Sequence, residues 1–233
     1  MVQEKAQDLQ EQSFASAEGF AEYLELTGKD RIPEHLKLDA VYVFTLTKDA
    51  QHEAVEVAVD LYKKGRTKKI IINDASTETG YCGVDFVNQL VRAAGVPEGD
   101  IVVITTKGSL NTKTETDPLI TYCKENNIQN IAVASAPFHY RRAFVSAVTQ
   151  VIEQGQDQHV NIWPAKSLPK DYNWKKEKSH SQGSLKGSGI ALTQTEMDRM
   201  YGYTENKSLK PWEDIKRYIE ARDQRVQTKT THH

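Results

Sequence analysis

Asn130-Ile-Ala-Val-Ala-Ser-Ala-Pro-Phe-His-Tyr-Arg-Arg142 carries the change of pattern on which the fold turns. A short apolar run ends at Ser135, and an amphipathic stretch opens at Phe138 and continues to Glu153. A run this brief, bounded by polar residues, reads as a strand buried on both faces, and the stretch after it reads as a helix. The same unit recurs upstream. Asp39–Leu46 precedes a helix over Asp49–Lys64, Lys69–Asn73 precedes one over Val84–Ala94, and Ile101–Thr105 precedes one over Lys113–Asn126. Val160–Trp163 supplies a fifth strand. Parallel neighbours need crossover connections, and those are right-handed. The pattern therefore predicts a Rossmann-like, doubly wound α/β fold: a mainly parallel five-stranded sheet, flanking helices and an added helical C-terminal segment.

Outside this core the pattern weakens. Phe14, Ala17, Phe20, Ala21 and Leu24 have helical spacing, so residues 1–38 read as an N-terminal helical segment before a domain over 39–168. Residues 169–233 read as a loop, most polar over 175–189, and two helices near Thr195–Tyr201 and Pro211–Arg222. Those helices are too small for a core of their own and are expected to pack on the same domain. The formal net charge of -2 argues against a general nucleic-acid binder. No apolar run approaches the roughly 18 residues of a membrane span, and the polar first residues lack the apolar core of a signal peptide. The expected location is cytoplasmic, with no membrane partner. Cys82 and Cys123 lack metal-ligand spacing and read as reduced thiols, and the terminal His232 and His233 receive no function.

Ligands of open parallel sheets bind beyond the carboxyl ends of the strands, so the segments after the strands hold the candidates. Ser135 is placed to cap the following helix, and Pro137 suits its first turn. That helix end favours an anion, and His139, Arg141 and Arg142 add one titratable group and two permanent cations. Helical spacing sends neighbours about 100° apart, so one of the two arginines faces the pocket. The structural alternative has one arginine paired with a carboxylate and His139 packed. In Ser109-Leu-Asn-Thr-Lys-Thr-Glu115, Thr112 and Glu115 have capping-box spacing, while Asn111 and Thr112 sit where they can bond a ligand. Asn73, Asp74 and Ser76 form a weaker group, Asp74 suiting a ribose hydroxyl or a metal. No GxGxxG follows the first strand, and neither a P-loop nor a GxSxG elbow occurs.

Taken in order, Leu61-Tyr-Lys-Lys-Gly65, Ala94-Gly-Val-Pro97, Asn111-Thr112 with Glu115, and Phe138-His139 with Arg142-Ala143 resemble the YdcF/SanA/ElyC-like family, a bacterial domain of unknown function. The resemblance covers about residues 39–168. It implies a Rossmann-like fold, a polar pocket of Asn111, Thr112, Glu115, His139 and Arg142, and S-adenosylmethionine as a possible cofactor. The chain departs from the family where glycines usually follow the first two strands: Thr45-Leu-Thr-Lys48 and Asn73-Asp-Ala-Ser76 stand there. No anchor of the membrane-bound, envelope-linked branches is expected. The expected function is binding of a phosphate-bearing or nucleotide-type anion, with His139 as the catalytic acid or base, Glu115 as a second catalytic residue that orients the substrate with Asn111, and Asn111, Thr112, Ser135, Arg141, Arg142 and Asp74 as ligand contacts. The alternatives are an S-adenosylmethionine-binding module without chemistry and a degenerate interaction scaffold.

Overall fold

The computed structural model describes residues 30–75, 77, 80–107, 110–165, 172–180 and 185–230. The expected helix over 13–27 lies outside them, as do Ser76, Ser109, His232 and His233. Five parallel strands make the sheet: β1 (Ala40–Val43), β2 (Ile70–Asn73), β3 (Ile101–Ile104), β4 (Asn130–Ala134) and β5 (Asn161–Pro164). Their order, β3-β2-β1-β4-β5, is the Rossmann-type winding, and its direction reverses between β1 and β4. Each crossover uses one helix: α1 (Lys48–Lys63), α2 (Val84–Ala93), α3 (Thr112–Glu125) and α4 (Tyr140–Glu153).

The two-residue period of the strands explains the layering. Tyr42 and Phe44 face one side with Ile71 and Ile131, against Leu119, Ile120, Phe144 and Val148 of α3 and α4. Val41 and Val43 face the other with Ile70 and Ile72, against Val57, Val87 and Val91 of α1 and α2. Each such large apolar side chain contributes about 1.5–3 kcal/mol on leaving water. β3 is an edge strand, and Val103 stays half exposed. Both cysteines are buried free thiols; burial pushes Cys82 up to about 11 and Cys123 up to about 12, so neither is a reactive thiolate. Among the described residues no helix is long and apolar enough to cross a membrane.

The C-terminal third is more ordered than its composition predicts. In place of a plain loop over 175–189, β6 (Glu177–Ser179) and β7 (Lys186–Ser188) form an antiparallel hairpin, although 181–184 lie outside the described residues. Two helices follow, α5 (Gly189–Glu205) and α6 (Trp212–Thr230), each longer than the apolar periodicity indicates. Both pack on the sheet domain, Met200 and Ile215 on one face and Leu192 and Val226 on the other. Specific polar contacts hold what apolar periodicity did not mark. Lys178 is buried against Glu53 and donates to the Asp49 carbonyl at 3.1 Å, while Ser179 N donates to Asp49 Oδ2 at 2.6 Å. The hairpin is thereby tied to the start of α1, beside the carboxyl end of β1. Arg222, fully buried, pairs with Asp30 at 2.7 Å, donates to the Ile162 carbonyl and lies 3.8 Å over the Trp163 ring.

Candidate functional site

The carboxyl ends of β1 and β4 flank the reversal of winding, and the chain after β4 builds the site. Proline disfavours a helical conformation at the residue before it. The segment therefore makes a turn first, with His139 N and Tyr140 N both donating to the Ala136 carbonyl. α4 starts at Tyr140, two residues later than the sequence predicts, with His139 as its N-cap residue. Ser135 consequently does not cap it. Its hydroxyl is buried and has no hydrogen-bond partner.

The two arginines separate as helical geometry requires. Arg141 lines a cavity of about 550 Å³ with Ser135, Phe138, Trp174, Met197 and Met200. Its Nε donates to the Tyr140 hydroxyl at 2.9 Å, and it has no carboxylate partner among the described residues. Arg142 points inward, is 5% exposed, and meets Glu196 of α5. Arg142 Nε and Nη2 donate to the two oxygens of Glu196 at 2.6 and 3.2 Å, and Nη1 donates to Thr112 Oγ1 at 2.5 Å.

Glu196, 2% exposed, is the hub of the cluster. It also accepts from His139 Nδ1 and His180 Nε2, so four N–H donors fill its lone-pair positions. Burial opposes its ionisation, but His139, Arg142 and His180 outweigh that and hold its carboxyl well below the usual range. Burial and the Arg142 charge push His139 down to about 4, so it is neutral at pH 7. Donation from Nδ1 then leaves the His139 lone pair on Nε2. His180 Nε2 meets the other Glu196 oxygen, and Arg199 Nη1 lies 3.1 Å from His180 Nδ1 and 3.3 Å from its Nε2.

His139, His180 and Glu196 bring possible metal ligands within 4.8 Å of one another, a set that suits zinc by type. The surroundings oppose a metal. A metal on His180 Nε2 would put the proton on Nδ1, which then needs an acceptor, and Arg199 presents a donor. The Arg142 guanidinium also occupies the carboxylate a cation would use.

The Asn-Thr-Glu element is rearranged by one residue from the capping box expected at Thr112 and Glu115. Asn111 is the N-cap of α3: Oδ1 accepts from Lys113 N and Thr114 N, and Thr114 Oγ1 accepts from Asn111 N. Thr112 is left to meet Arg142. Glu115, 2% exposed, reaches back to β1, where Oε1 accepts from Thr45 N at 2.7 Å and the Tyr42 hydroxyl at 2.9 Å. Burial pushes Glu115 up to about 7 against those hydrogen bonds. A smaller cavity of about 300 Å³ is lined by Asn111, Thr112, Arg142, Ser146 and Tyr203. Asp74 is exposed and borders none of these cavities. Another cavity, about 670 Å³, lies along β3 and α3 and is lined by none of His139, Arg142 and Glu196.

The structure thus joins Thr112, His139 and Arg142 in one network, sets Ser135 and Arg141 on the adjoining cavity, and gives Asn111 to a cap. Glu196 and His180 escaped the sequence reading. They stand 57 and 41 residues from His139 in chain segments without a local motif, and only the packing of α5 and the hairpin brings them in. No family model matches the chain, and neither a curated protein nor a solved structure does.

Proposed function

We propose that the protein binds a phosphate-bearing, nucleotide-type small molecule in the cavity beside β4. One observation carries the reading: Arg141, without a carboxylate partner among the described residues, shares that cavity with the buried, unpartnered hydroxyl of Ser135. A guanidinium and a hydroxyl donor are the groups that hold a phosphate. Phe138, Trp174, Met197 and Met200 offer the apolar walls a flat base requires, in a volume within the range of small-molecule sites. Neutral His139, turned by Glu196 so that Nε2 bears the lone pair, has the protonation state of a general base. The likeness to the YdcF/SanA/ElyC-like family belongs to the same proposal.

Calorimetric titration with nucleoside 5′-monophosphates, the matching nucleosides and inorganic phosphate tests it. A hydrogen bond to a charged group is worth about 1.5–3 kcal/mol, so Arg141→Ala is expected to weaken nucleotide binding by about 10- to 100-fold. Nucleosides lacking the phosphate are expected to show a comparable loss. Equal affinity of wild type and Arg141→Ala, or of nucleoside and nucleotide, rejects the reading.

A further inference from the structure

The geometry points to a buried oxyanion seat formed by Arg142, His139 and His180, which Glu196 fills from within the chain and which a phosphate group of the cavity's ligand takes in its place. This rests on the reading that the ligand carries a phosphate; Arg141 and Ser135 meet that group at the cavity wall, and the seat adds where an oxyanion ends and what it must displace.

The seat is complementary to an anion before any ligand is considered. Four N–H donors from three side chains, each no more than 5% exposed, converge on one point: Arg142 Nε and Nη2, His139 Nδ1 and His180 Nε2. None of the four positions is an acceptor, so only an acceptor-rich group satisfies them together. Arg199 adds a further positive charge 3.6 Å from Glu196 Oε1. Arg142 and His139 belong to the start of α4 and His180 directly follows β6 of the hairpin, whereas the acceptor comes from α5.

Glu196 is also a wall residue of the cavity that holds Arg141 and Ser135, flanked there by Thr193 and Met197. Rotation of its side chain toward that space is the movement the exchange requires. The exchange favours a phosphate because it brings about -1.5 to -2 charges at pH 7 and three acceptor oxygens, against one charge and two oxygens for the carboxylate. Glu196 thus acts as the empty site's own anion, keeping Arg142 neutralised until a stronger one arrives.

The test compares the full chain as wild type, Glu196→Ala and Glu196→Gln. Thermal unfolding is followed with inorganic phosphate and with sodium chloride at matched ionic strength, and phosphate affinity is measured by calorimetry. In Glu196→Ala, phosphate is expected to raise Tm well beyond the shift seen in wild type, while chloride does not. Glu196→Gln keeps the shape and drops the charge, and is expected to bind inorganic phosphate at least about tenfold more tightly than wild type. Should Glu196→Ala fail to fold, Glu196→Gln decides alone. Equal phosphate affinity in wild type and Glu196→Gln, or a chloride effect equal to that of phosphate, overturns the seat. The two readings fail separately. Phosphate gain in Glu196→Gln without nucleotide binding by any variant upholds the seat and rejects the nucleotide. Arg141-dependent nucleotide binding without that gain does the reverse.

Discussion

Glu196→Ala is expected to lower the unfolding free energy at pH 7, without added oxyanion, by about 3–5 kcal/mol, the usual cost of removing one partner of a buried ion pair. The reason lies in what remains behind. Arg142 stays 5% exposed with its Nε and Nη2 donors unmet, and His139 and His180 each lose the acceptor that orients them. The pair itself is worth far less than its rupture suggests, because both charges had to leave water. Replacing the two together, as Arg142→Met with Glu196→Leu, is therefore expected to restore most of the loss. The effect has a pH signature. The folded-state pKa of Glu196 lies below its unfolded value, so its contribution is present above about 4.5 and is lost as the pH falls through the folded value. The gap between wild type and Glu196→Ala should narrow in acid. Urea unfolding from pH 3 to 7 measures it, and a loss under about 1 kcal/mol at pH 7 would show that the cluster does not hold α5 in place.

Glu115 carries the opposite sign. Its folded pKa of about 7 lies above the ordinary 4.5, chiefly through burial. The native state therefore binds the extra proton between those values. The corresponding stability is fully present below about 4.5 and is lost as the pH rises through 7. A difference of this size corresponds to about 3 kcal/mol across the window. Glu115→Gln cannot ionise, and its amide oxygen can still accept from Thr45 N and the Tyr42 hydroxyl. Relative to wild type, the variant is expected to gain stability from about pH 4.5 to about pH 7 and to level off above that. Subtracting the two curves removes other titrating groups, including Glu53, which burial also raises. Parallel curves for the two proteins would mean that Glu115 ionises in the folded state as it does in water.

Much of the fold was legible because it rests on local regularities. Ile70–Asn73 and Asn130–Ala134 are short, apolar and bounded by polar residues, and the helices after them bury Val87 and Val91 in one case and residues 142–151 in the other. Capping was less legible, since Asn111 and Thr112 can each begin a helix. The choice fell to Asn111 once Arg142 engaged the Thr112 hydroxyl, a contact across 30 residues. The hairpin over 177–188 was illegible for a different reason. It is held by Lys178 on Glu53 and Ser179 on Asp49, contacts that leave no apolar periodicity in the sequence.

By itself, then, the sequence determined the alternation of strand and helix, the parallel sheet, and the placing of His139, Arg141 and Arg142 beyond the fourth strand. These follow from side-chain period and chain connectivity, which are local. Tertiary structure alone decided that Arg141 faces a cavity while Arg142 is neutralised, that Glu196 and His180 complete the cluster, and that Glu115 is buried on β1. Charge state and hydrogen-bond partner depend on what lies within a few ångströms, and in this chain those neighbours arrive from α5 and the hairpin, far along the sequence.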